Sequence, residues 1–87
     1  MERFEYAVKL TSAIEGGFVA TCRDLPQLVT QGDDRRKALA EAADAMDEVF
    51  AAYIQAGLPF PVPTKPKRGE NQVSPPTETI VKAIRIA

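Results

Sequence analysis

Between Asp34 and Gly57 the chain carries one long helical pattern. At about 100° per residue, Leu39, Ala42, Ala43, Met46, Val49, Phe50, Tyr53 and Ile54 fall on one broad face, while Glu41, Asp44 and Glu48 gather on the opposite one. A helix with so wide an apolar face has to bury it against another layer. The chain has 87 residues, and the apolar segments before this helix read as strands, so the expected class is α+β, with one long helix packed on an antiparallel sheet. The helix bounds are also legible. Asp33 and Asp34 are short acceptors just ahead of the pattern, and Asp34 is the expected N-cap. The helix should stop near Ala56-Gly57, because glycine accepts the left-handed conformation of a helix end and Pro59 cannot continue the turn.

From Arg3 to Leu10 the apolar residues Phe4, Tyr6, Val8 and Leu10 alternate with Arg3, Glu5, Ala7 and Lys9, the period-two pattern of a strand with one buried face. Ser12 to Gly17 supplies a polar loop with Gly16-Gly17 where the chain reverses, and Phe18 to Cys22 resumes a strand. Asp24-Leu25-Pro26 breaks that strand, since Pro26 has no amide hydrogen for a ladder, and Gln27 to Gln31 forms a short third strand before Gly32. These make a three-stranded meander. Leu58 to Arg68 alternates prolines and reads as a semi-rigid extended strap, with Phe60 and Val62 packing back over the helix. Gly69 to Ser74 can add one edge strand. In the last stretch Ile80, Val81, Ile84 and Ile86 are β-branched, as in a strand, yet their spacing fits a helix opened by Pro75-Pro76-Thr77-Glu78; the helix is the favoured reading.

Composition removes several classes of chemistry. Cys22 is the single cysteine and there is no histidine, so an internal disulfide, a cysteine cluster for zinc and histidine-assisted nucleophilic catalysis are all excluded. Cys22 falls on the inward side with Phe18 and Ala20 and reads as a small core residue. No apolar run approaches the roughly 18–20 residues of a membrane span, and the start Met-Glu-Arg-Phe-Glu lacks an export signature, so a cytoplasmic location is expected. The net charge of −1 hides a split. Residues 1–57 carry six lysines and arginines against ten acids, and residues 58–87 five against two, so the front half suits a basic partner. Arg35-Arg36-Lys37 sits in the first helical turn, where cations oppose the helix dipole. The cluster reads either as an anion contact or as three solvated side chains with Lys37 pairing Glu41.

Taken in order, Gly16-Gly17-Phe18-Val19, Asp24-Leu25-Pro26, Val29-Thr30-Gln31-Gly32-Asp33, the alanine-spaced helix from Ala38 to Ala45 and Leu58-Pro59-Phe60-Pro61-Val62-Pro63 resemble the HicB family of antitoxins. The resemblance covers nearly all of residues 4–66. It implies a partial ribonuclease-H-like fold, β-β-β-α-β-α, that binds and occludes a small basic mRNA-cleaving toxin, HicA. On this reading residues 1–74 are the toxin-neutralising domain, with the strap at 58–69, and residues 75–87 start a connector helix; Val73, Pro76 and Lys82 look like its entry. Longer members continue into a DNA-binding module that represses their own operon. This chain stops before one, so DNA binding is not expected of residues 1–87. Two positions depart from the family pattern: Gln27 stands where glycine is frequent, and Arg35-Arg36-Lys37 replaces a more acidic helix start.

The residues favour masking over cutting. A nuclease of this fold needs carboxylates converging on a divalent ion, the first of them central in strand one. Only Glu5 is acidic there, on the face opposite Phe4, Tyr6 and Val8, while Asp24, Asp33 and Asp34 sit at turns or a cap. No catalytic residue, metal site or cofactor is therefore expected. The candidate toxin contacts are the sheet-end residues Arg23, Asp24, Leu25, Pro26, Gln27, Thr30 and Gln31, together with the helix acids Glu41, Asp44 and Glu48. The acids would either steer a basic toxin or simply keep the helix soluble. A homodimer or higher oligomer is expected, because one sheet under one helix is thin. Two other functions remain: a weak metal-dependent ribonuclease using Glu5 or Asp24, and a non-enzymatic homo-oligomer that binds a small ligand.

Overall fold

The helical pattern becomes α1, Arg35–Ala56, in the computed structural model, which describes residues 5–75. The Asp34 carboxylate accepts a hydrogen bond from the Lys37 amide at 2.8 Å, and Gly57 ends the helix at φ 68°, as expected for both caps. The residues α1 buries most deeply are Ala38, Ala42, Met46 and Phe50, a row spaced by four. Leu39, Val49 and Tyr53 pack beside it. Ala38 was missing from the sequence pattern, because one alanine in the first turn carries no periodic signal.

Four strands lie beneath: β1, Tyr6–Ser12; β2, Phe18–Cys22; β3, Val29–Gly32; and β4, Asn71–Val73. Their spatial order is β3-β2-β1-β4, and every neighbouring pair is antiparallel. The meander and the added edge strand are thus as expected, and the class is α+β. The first strand begins at Tyr6, with Arg3 and Phe4 outside the described residues. The segment expected to form a C-terminal helix, 77–87, also lies outside them.

The register Val8↔Cys22, Leu10↔Ala20 and Ala20↔Thr30 places one side of every strand under the helix. Tyr6, Val8, Ala20, Cys22, Leu25, Leu28, Ala42, Met46 and Phe50 form the core. Cys22 is buried, and burial raises its thiol pKa, so it packs as a small apolar group.

Three expectations need correction. The third strand starts at Val29 rather than Gln27, because Leu25 to Leu28 closes a turn, with the Leu28 amide donating to the Leu25 carbonyl at 2.9 Å. Lys37 pairs with Asp33 at 3.8 Å rather than with Glu41, and Arg35 lies over the Phe18 ring at 5.0 Å. Both contacts moderate the misplaced positive charge of the first turn. Phe60 does pack back, stacking on Phe50 at 4.5 Å between ring centroids, but Val62 is 82% exposed. Polyproline chain turns through three residues, not two, so Val62 rotates outward where Phe60 rotates in.

Candidate functional site

The expected contact residues do not form one patch. Arg23 and Asp24 turn toward the strap, forty residues away in sequence. Thr64 donates its amide to Asp24 Oδ2 at 2.9 Å and its hydroxyl to the same oxygen at 2.9 Å. Arg23 Nη2 donates to Thr64 Oγ1 at 2.8 Å and to the Lys65 carbonyl at 2.9 Å. Arg23 Nη1 reaches both oxygens of Glu70, at 2.7 and 2.6 Å. Glu70 also accepts from the Lys67 amide at 2.6 Å. The Arg23 guanidinium and then that amide hold the Glu70 carboxyl below the usual carboxylate range, and Glu70 in turn raises Arg23. The result is a polar clamp that pins the strap, and the approach to β4, to the turn after β2. Tyr6 adds to it, its hydroxyl donating to the Pro61 carbonyl.

Leu25, between the clamp and the next turn, is 0% exposed and belongs to the core. Its side chain offers nothing to a partner, because the turn that Pro26 enforces folds it under the helix. Pro26 and Gln27 remain exposed, with Gln27 Nε2 donating to the Tyr53 hydroxyl at 3.1 Å. Thr30 lies half-buried on the helix side of β3, and Gln31 is exposed on the other side. Glu41, Asp44 and Glu48 are exposed along the outer face of α1, away from the sheet. The ten residues therefore divide among a clamp, a core position, an exposed turn, a sheet edge and an acidic helix face.

Three of the four carboxylates weighed for metal chemistry, all but Glu5, are employed locally. Asp24 accepts from Thr64, Asp34 caps the helix and Asp33 pairs with Lys37. Among the described residues, no three of His, Cys, Asp and Glu form a group that could hold a metal ion. No helix among them is long and apolar enough to cross a membrane. Thr64 and Glu70 are the members of the site that the sequence did not disclose. Each is an ordinary polar residue in a polar stretch, and their tie to Arg23 exists only once the strap has crossed the helix end.

A family model described as the HicB-like antitoxin of bacterial toxin–antitoxin systems matches residues 5–84. Antitoxin HicB 1 of Photorhabdus laumondii is 35% identical over 63 residues, which cover 72% of this chain and 41% of the relative. Antitoxin HicB of Escherichia coli is 29% identical over 79 residues, covering 91% of this chain and 57% of the relative. A second Photorhabdus laumondii protein, Antitoxin HicB 2, is 33% identical over 70 residues, covering 80% of this chain and 49% of its own length. The chain spans about half the length of the curated relatives it matches. With the family model covering all but the ends, this chain belongs to the HicB-like antitoxin family.

Proposed function

We propose that this chain is the toxin-masking part of an antitoxin, which binds a small basic HicA-like, mRNA-cleaving toxin and occludes its reactive surface without chemistry of its own. The observation that carries this reading is the family match across residues 5–84. The charge supports it. Glu41, Asp44 and Glu48 stand exposed on one helix face, where they raise the rate at which a basic partner arrives more than they tighten the final complex. Short-range contacts come from exposed groups at the sheet end, Pro26 and Gln27. In this reading residues 1–74 form the neutralising unit and residues 75–87 the start of a connector. The protein works in the cytoplasm, as a homodimer or higher oligomer.

The test is co-expression with a HicA-like toxin. The expected result is a stable complex with one copy of each chain and loss of RNA cleavage by the captured toxin. Reversing the helix acids, in E41K/D44K/E48K, should slow association and flatten its salt dependence. Failure to capture any such toxin would overturn the reading. So would magnesium- or manganese-dependent RNA turnover by the purified chain that is lost in Glu5→Gln or Asp24→Asn.

A further inference from the structure

Leu25-Pro26-Gln27-Leu28 is a turn fastened at both ends. Leu25 and Leu28 are buried in the core, the Leu28 amide donates to the Leu25 carbonyl at 2.9 Å, and Pro26 and Gln27 stand exposed between them. Pro26 presets the first corner. The second corner would demand glycine if its backbone took a positive φ, but among the described residues positive φ occurs at glycines alone, so Gln27 sits there without strain. The position where the family pattern frequently has glycine can therefore carry a side chain in this chain.

That side chain is held from outside the turn. Gln27 Nε2 donates to the Tyr53 hydroxyl at 3.1 Å. Tyr53 lies in the last turn of α1, where the reversal into the strap fixes it. The Leu58 amide donates to the Tyr53 carbonyl at 3.0 Å, and the Phe60 ring, itself stacked on Phe50, lies 6.2 Å from the Tyr53 ring between centroids. On the entry side of the turn, Asp24 holds Thr64 of the same strap. The strap thus braces the turn at both ends. The Gln27 carboxamide oxygen lies 3.4 Å from the Tyr53 hydroxyl and has a second lone pair to offer, an acceptor suited to a lysine or arginine.

We propose that Tyr53 is a positioning residue for the toxin contact. Its hydroxyl, steadied by the strap, holds the Gln27 carboxamide in the orientation in which its oxygen accepts from a cationic side chain of the toxin. The inference rests on the antitoxin reading above and adds a residue to it. An exposed glutamine has several side-chain torsions to freeze when a partner arrives, and apparent affinity falls with the fraction of time it spends in the competent orientation. The bond to Tyr53 sets that orientation before the toxin arrives, which a glycine at position 27 could not do.

A double-mutant cycle on toxin binding separates positioning from direct contact and from packing. Tyr53→Phe keeps the ring against Phe60 and removes one oxygen. Its affinity for the HicA-like toxin, measured by calorimetry with the purified chains, should fall about fivefold, what one neutral hydrogen bond contributes. Its urea unfolding midpoint should stay that of the unaltered chain, while the NMR order parameter of the Gln27 side-chain amide drops. In a Gln27→Gly background, which itself binds the toxin more weakly, Tyr53→Phe should change the affinity no further. An unchanged affinity or order parameter in Tyr53→Phe, a lowered unfolding midpoint, or the same fivefold loss persisting beside Gln27→Gly would each overturn the proposal. If the unaltered chain captures no toxin, the antitoxin reading falls and this role with it; capture that Tyr53→Phe leaves equally tight overturns the role of Tyr53 alone.

Discussion

The strap side and the β3 side of this sheet are held by different kinds of contact. On the strap side, segments forty residues apart are joined by side chains: Arg23 and Asp24 grip Thr64 and Glu70, and Phe60 stacks on Phe50. On the β3 side, backbone meets backbone. A Cβ at Gly32 would overlap the Ala38 amide nitrogen and lie 2.7 Å from the Ala38 Cα, so the first turn of α1 rests directly on the end of β3. Gly17 is tied into the same corner, at φ 79° and with a hypothetical Cβ only 2.6 Å from the Gly32 carbonyl oxygen. Side-chain contacts can be weakened one at a time, whereas a backbone contact admits no intermediate size. The two sides should therefore respond differently to substitution.

The largest effect is expected at the backbone contact. Gly32→Val must lift the helix start from the sheet, and a loss of about 3 kcal/mol in urea unfolding is expected. A loss below 1 kcal/mol would mean that α1 slides freely there and that the contrast between the sides is false. On the strap, Phe60→Ala removes a half-buried ring and should cost about 2 kcal/mol, under the roughly 3–5 of a fully buried phenylalanine. Val62→Ser, two residues along and exposed, should leave the same melt unchanged. Equal effects at the two positions would mean that the strap packs as a uniform layer. Asp34→Ala, which removes the helix cap near Gly32, should cost about 1 kcal/mol by the same measurement.

The smallest global effect, and the sharpest local one, belongs to the clamp. Because its folded-state pKa is depressed, Glu70 stabilises the fold above its ordinary value of 4.5, and that contribution is lost as pH falls through the lower folded value. The Lys67 amide, which donates to Glu70, should report this in an NMR titration with a midpoint below 4.5. In Arg23→Ala the midpoint should move upward while overall stability hardly changes, since the pair lies at the surface. A midpoint indifferent to Arg23 would detach the clamp from the strap. Trypsin should meanwhile cleave Arg23→Ala faster after Lys67 and Arg68.

Much of the fold could be read from local patterns. β2 begins and ends where the alternation places it, and the helix stops at the two residues whose chemistry suits its ends, Asp34 and Gly57. Local rules failed where the period changed or a turn intervened. On the strap Val62 faces outward two residues after the packed Phe60, as the three-residue turn of a proline-rich chain would place it, and the turn closed by Leu28 delayed β3 to Val29. The candidate site was less legible than the fold. The acidic face of α1 follows from spacing alone, and the chain is exposed there as expected. Arg23, Asp24 and Leu25 read as contact residues at a sheet end, but the structure uses two of them in the clamp and one in the core.

The sequence by itself determined the elements: where strand gives way to helix, which helix face is apolar, that cysteine and histidine chemistry are missing, and which family the ordered motifs resemble. These depend on periods, caps and composition, which act over a few residues. Only the tertiary structure decided which strand takes which edge, that Gly32 has no room for a side chain, and that Arg23 and Glu70 meet. Those outcomes depend on where the chain lies after it has crossed itself, and contacts between segments forty residues apart leave no local periodicity to read.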